Sequence, residues 1–281
     1  MIRRALAALM LALGLLGPAR PQPAMAADPE LVLSTGGAET RLGREALLAR
    51  ADAVTVEIPR DVAYGGRAMR YRAVPLASLL QGERPPGGML EFVATDGFAA
   101  QIPAALALSA DPRGARAFLA VEPSGAPWPP LPGKELSAGP FYLVWTNPAA
   151  SGVRSEQWPY QVARIGEAES PVRRWPQIAV DPALPPQAPE RAGQELFITQ
   201  CMACHTMNGG GSATMGPDLN LPMNPVEYMR SDGLRRLIRD PRSVRSWPGQ
   251  SMPGFPPESL SDAEIDRIVA YLGHMSNRKA R

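Results

Sequence analysis

Both cysteines of this 281-residue chain fall within five consecutive residues, Cys201-Met202-Ala203-Cys204-His205. A C-x-x-C-H run is the attachment signature of c-type haem. The reason is geometric. Two thiols three positions apart can add to the two vinyl groups along one haem edge, and the next residue, His205, then falls under the iron as proximal ligand. Other uses of the two thiols fit less well. A plain disulfide leaves His205 without a role. A thioredoxin-like pair calls for α/β surroundings, whereas this region reads as helical. A zinc site needs further ligands, and His274 is the only other histidine. One covalent haem c is the expected cofactor.

The first 26 residues read as a targeting segment. Arg3 and Arg4 precede an apolar run from Ala5 to Leu16, prolines 18 and 21 break it, and Ala24-Met25-Ala26 offers a small-x-small cleavage site. This is the layout of a secretory signal peptide, and the run is shorter than the ~20 residues that span a bilayer. A periplasmic protein, cleaved near Ala26, is expected, and haem c is attached outside the cytoplasm. No second apolar stretch approaches spanning length, so a soluble protein is expected. The chain holds 29 Lys and Arg against 27 Asp and Glu, and three of those arginines lie in the leader, so the remainder carries a net charge of −1. That balance gives no reason to expect nucleic acid as a partner.

Thirty-two prolines exclude a helical bundle throughout. Residues 28–166 alternate short apolar or β-branched runs with turn-formers, at Leu31–Leu33, Val54–Ile58, Met69–Val74, Leu90–Ala94, Phe118–Val121, Phe141–Trp145 and Tyr160–Ile165. Two short helices are predicted, at Arg44–Arg50 and Leu76–Leu80. The block reads as a strand-rich α+β domain. Residues 167–189 contain six prolines and read as an extended linker, with Trp175 and Ile178 as anchors if it packs as a strap instead. Residues 190–281 read as all-α. A helix opens at Pro189-Glu190 and runs to about Gln200, and a second covers Val226–Arg239. Ser261 and Glu264 form a capping box ahead of Ile265, Ile268, Val269 and Leu272, which share one helical face.

From Glu190 to about Met275 the sequence resembles the class I cytochromes c. Gly193 and Phe197 precede the haem motif by the expected turns. Gly216-Pro217-Asp218-Leu219 is similar to the family's G-P-x-L loop, in which the proline carbonyl accepts the proton of the proximal histidine's other nitrogen; here that proline is Pro217. Ser251-Met252-Pro253-Gly254-Phe255 resembles the M-P-x-F segment, which implies Met252 as the sixth iron ligand, with His274 as its rival. Tyr271-Leu272 ends the last helix, which in the family crosses the first beside Gly193. The resemblance implies an iron with both axial positions filled by protein, suited to one-electron transfer.

Residues 30–166 carry shorter similarities to the molybdopterin-binding domain of the sulfite oxidase family, at Val74-Pro75-Leu76, Thr95-Asp96-Gly97-Phe98 and Gly139–Trp145. That family ligates molybdenum through a cysteine. Here no cysteine lies outside the haem motif, and the block has no histidine. A related domain without metal is expected, and molybdopterin is not. Asp96, Trp128, Trp145 and Trp158 are candidates to line a pocket, the tryptophans more simply as core. Six arginines between positions 230 and 245 read as a solvated helix face balanced by Asp232 and Asp240, or as a docking patch for an acidic redox partner.

The sequence thus predicts two domains, a strand-rich α+β domain and an all-α cytochrome c fold, in an exported monohaem carrier rather than an enzyme. Its expected partners are a donor and an acceptor protein, such as a dehydrogenase or a terminal oxidase. Two alternatives remain at this point: a molybdopterin oxidoreductase with a fused haem acceptor, and a non-catalytic cytochrome subunit of a larger periplasmic dehydrogenase.

Overall fold

The computed structural model describes residues 28–81 and 88–280. The expected leader and part of the proline-glycine turn before Gly88 lie outside these residues. Among the described residues the N-terminal domain holds nine strands: β1 (Glu30–Thr35), β2 (Ala38–Gly43), β3 (Val54–Asp61), β4 (Arg67–Pro75), β5 (Gly88–Ala94), β6 (Ala99–Pro103), β7 (Arg116–Val121), β8 (Phe141–Thr146) and β9 (Val162–Glu169). Short helices α1 (Arg44–Leu48), α2 (Leu76–Leu79) and α3 (Ala104–Ala107) join them.

The strands form a five-stranded sheet ordered β2-β1-β9-β5-β6 and a four-stranded sheet ordered β3-β4-β7-β8. All pairs are antiparallel except β1 with β9, where Val32 to Ser34 align with Arg164 to Gly166. Both sheets turn apolar faces to one core, with Leu31, Phe92 and Ile165 from the first and Tyr71, Leu119 and Leu143 from the second. Asp61 lies in that core fully buried. It accepts hydrogen bonds from the Tyr71 hydroxyl at 2.9 Å, the Tyr142 hydroxyl at 3.0 Å and the Tyr64 N–H at 3.1 Å. Burial raises its pKa, outweighing the opposing tyrosine bonds.

The stretch read as a linker from residue 167 is different. Its first three residues belong to β9, paired with β5 from Leu90 back to Gly88. The rest, including α4 (Pro171–Arg174), is a packed strap: Ile178 is fully buried in the C-terminal core beside Val180, and Trp175 packs against it. Apolar burial of these side chains overrides the extended tendency of a proline-rich segment.

The C-terminal domain contains α5 (Pro189–Gln200), α6 (Pro225–Tyr228), α7 (Ser231–Arg239), α8 (Pro241–Val244) and α9 (Asp262–Ser276). The single helix expected over Val226–Arg239 is two, because Met229 and Arg230 are extended; the latter is the N-cap of α7. Helix α9 starts at the Ser261–Glu264 capping box. It crosses α5 where Gly193 has no room for a side chain: a Cβ there would lie 2.0 Å from the Arg267 carbonyl oxygen and 2.8 Å from Tyr271 Cβ. Phe197 and Tyr271 pack ring to ring across this crossing at 5.2 Å. No helix among the described residues is long and apolar enough to cross a membrane.

Candidate haem site

Helix α5 delivers the C-x-x-C-H run at its C-terminal end. Cys201 caps the helix, and its carbonyl accepts the N–H of Cys204 at 3.1 Å and of His205 at 2.9 Å. This tight turn carries both thiols and the imidazole on one short loop. The two cysteines are free thiols. Burial, and next the nearby Glu156 carboxylate, push both up to about 12.

His205 Nδ1 lies 2.8 Å from the Pro217 carbonyl oxygen. That bond fixes the tautomer with the proton on Nδ1 and leaves Nε2 as the metal-binding nitrogen. Burial lowers the histidine's pKa, which keeps the ring neutral. Gly216 makes the approach possible, since a Cβ there would sit 2.5 Å from His205 Cε1. Asp218 holds the loop shape. Its carboxylate accepts from the Gly209 N–H at 2.7 Å, the Asn220 N–H at 2.7 Å, the Leu221 N–H at 2.8 Å and the Thr206 hydroxyl at 2.9 Å. Burial alone would raise its pKa, but these bonds outweigh it and the pKa is lowered.

A second support went unread in the sequence. The buried amides of Asn208, Asn220 and Asn224 form a ladder: Asn224 Nδ2 donates to Asn220 Oδ1, and Asn220 Nδ2 to Asn208 Oδ1, each at 2.8 Å. Asn220 Nδ2 also donates to the Met275 carbonyl at 2.8 Å, and Asn224 Nδ2 to the Leu272 carbonyl at 3.0 Å. The loop after the haem motif is thereby tied to α9. Asparagines are too common in turns for their spacing to have announced this.

Met252 is half-buried, between exposed Ser251 and Pro253. These two neighbours and Cys204 line a cleft of ≈ 680 Å³, partly open to solvent. Gly254 lies so close to the Arg239 carbonyl oxygen, 2.7 Å from where its Cβ would be, that the segment is held against α7. His274 points elsewhere, its Nε2 accepting the Asp181 N–H of the strap at 3.0 Å. Of the six arginines, Arg239 is structural: it donates to the Phe255 and Leu260 carbonyls and pairs with Asp262 at 2.5 Å. Arg230 pairs with Asp232, and Arg235 with Asp266. Arg236, Arg242 and Arg245 are exposed.

These residues fit a covalently held haem. Two free thiols at the required spacing adjoin a neutral histidine with one nitrogen already committed, and the cleft runs from Cys204 to the neighbours of Met252. The enclosed side-chain amide of Gln250, two residues before Met252, has no hydrogen-bond partner among the described residues.

Residues 190–276 match the family model described as cytochrome c. The C-terminal part of the chain is a cytochrome c domain. The match supports haem c electron transfer as the work of this domain, and cytochromes c work between redox partners. The match does not extend into residues 30–166, so the resemblance of that block to molybdopterin-binding domains gains no support from it. A search of curated proteins finds no match to the chain.

In the N-terminal block, Trp145 is core, its indole N–H donating to the Gln157 carbonyl at 2.8 Å. Trp128 is half-buried against Tyr71, with ring centroids 4.6 Å apart. Asp96 and Trp158, by contrast, line the same cleft as Cys204.

Proposed function

We propose that the protein is an exported monohaem cytochrome c that passes single electrons from a donor protein to an acceptor, with a leader removed near Ala26. Bound haem supplies a one-electron couple. Cys201 and Cys204 would hold it as thioethers, His205 Nε2 would be the proximal ligand and Met252 sulfur the distal one. Pro217 takes the His205 Nδ1 proton and keeps that ring oriented. With His205 and Met252 both holding the iron, the chain would leave it no open position for substrate, which favours electron transfer over bond making.

The observation that carries this reading is the free Cys201/Cys204 pair beside a neutral His205 whose Nδ1 is already taken up by Pro217. The test is protein matured in a periplasm, analysed for iron, molybdenum and haem mass per chain. One iron, no molybdenum and a chain heavier by one haem are expected. Equal iron and molybdenum would replace the carrier by an oxidoreductase. Met252→Ala is expected to abolish the weak long-wavelength band of sulfur-ligated ferric haem, and an unchanged band would remove Met252 from the ligand set.

A further inference from the structure

The Thr95-Asp96-Gly97-Phe98 turn of the β5–β6 hairpin is docked on the haem-attachment loop. The Ala99 N–H donates to the carbonyl of Ala203, the residue just before Cys204, at 2.8 Å. Thr214, on the following loop, donates its N–H to the Gly97 carbonyl at 3.1 Å. Gly97 has φ +91°, and a Cβ there would lie 2.1 Å from Thr214 Oγ1, so only glycine permits this contact. Alongside, Ser155 to Tyr160 approach the same loop, with Gln200 Nε2 donating to Ser155 Oγ at 3.4 Å.

The cleft that starts at Cys204 and ends at Ser251 and Pro253 therefore has its opposite wall in the other domain. Val62, Phe98, Trp158 and Tyr160 supply apolar surface there, and Asp96 and Glu156 supply carboxyl groups. Glu156 thus lines the cleft together with the attachment cysteine Cys204.

We propose that the N-terminal domain is the second wall of the haem pocket, and that Trp158 and Glu156 are positioning residues that set the reduction potential in opposite directions. The proposal rests on the haem reading above. Oxidised haem iron carries one more positive charge than reduced. An apolar wall that excludes water disfavours that charge and raises the potential. A carboxylate beside the haem favours it and lowers the potential. The strand-rich domain is then part of the electron carrier itself.

The test is spectroelectrochemical titration of the full-length haem-loaded chain and of its Trp158→Ala and Glu156→Gln variants. Measurement at pH 9 lies above the value near 7 to which burial pushes the Glu156 carboxyl. Trp158→Ala is expected to lower the potential and Glu156→Gln to raise it. Each shift is read as a severalfold change in the ratio of reduced to oxidised haem at fixed poise, tenfold being about 59 mV for one electron. Haem per chain is measured on the same samples. Full haem loading with both potentials unchanged overturns the proposal and leaves the cytochrome reading standing. A parent chain without covalent haem overturns both. Should Trp158→Ala not fold, hydrogen exchange of the parent holoprotein decides: slow exchange at the Ala99 and Thr214 amides supports the docked wall, and exchange at the rate of free loops overturns it.

Discussion

Asp61 and Asp218 have similar local tasks in the two domains, and burial has opposite outcomes for them. Each is a carboxylate that gathers donors to fix a turn or strand end. Asp61 collects two tyrosine hydroxyls and one backbone N–H inside a fully apolar core, and desolvation prevails. Asp218 collects several backbone N–H groups and a hydroxyl near the surface, and the hydrogen bonds prevail. One partner of Asp61, Tyr142, lies 81 residues away on another strand, whereas all those of Asp218 lie within 12 residues of it. The difference separates a domain built by long-range packing from one built around a short loop that must present a cofactor site.

The largest expected effect comes from removing the buried carboxylate of the first domain. Asp61→Ala orphans three donors, each costing about 1–3 kcal/mol. A loss of about 3 kcal/mol or more is expected in the N-terminal thermal transition, with the haem absorbance kept until the second transition. Simultaneous loss of both would mean the domains do not unfold separately. The helix crossing of the second domain comes next. Gly193→Ala places a methyl 2.0 Å from the Arg267 carbonyl oxygen, and overpacking of this kind costs about 1–3 kcal/mol. Calorimetry of the holoprotein should show the loss in the C-terminal transition.

Acid should then pull the two domains apart. The folded pKa of Asp61 is raised, so its ionisation costs the native state stability as pH rises from about 4 through that folded value, and the first domain gains stability on acidification across this window. The folded pKa of Asp218 is lowered, so its contribution is present above about 4 and is lost as pH falls through its folded value. Melting curves taken from pH 7 downward should show the domain transitions moving in opposite directions, and parallel movement would refute the contrast between the two carboxylates. The smallest effect concerns one ion pair between the domains. Arg154 meets Glu264 at 2.6 Å with both side chains partly exposed. Arg154→Ala is expected to cost about 0.5–1 kcal/mol, read as a slight further separation of the transitions.

The contrast also explains what was legible in the chain. The C-x-x-C-H loop, Gly193, Pro217 and the capping box are short-range patterns, and the structure sets Pro217 against His205, Gly193 at the α5–α9 crossing and the box at the start of α9. Most strands announced themselves as apolar runs between turns. Strand β2 did not, because Ala38–Gly43 is an exposed edge with charged residues facing water. Strand β6 did not, because Ala99–Ile102 is buried on both faces and shows no alternation. The strap was read as a linker because its prolines outweigh Ile178 and Val180 in composition, while burial decides its placement. The cleft wall was the least accessible of all. Trp158 and Phe98 come to line one cleft with Cys204 only through tertiary packing, and no spacing in the sequence relates them to it.

The parallel pairing of β1 with β9 has a consequence for the order in which the molecule is made. It joins the first strand of the N-terminal domain to its last, and contacts spanning so much chain form slowly. As the chain emerges from its N-terminus, the five-stranded sheet stays open until Glu169 is out, and Cys201 follows soon after. The sheet whose β5–β6 turn packs on Ala203 and Thr214 is therefore complete only when nearly all the chain ahead of Cys201 has been made.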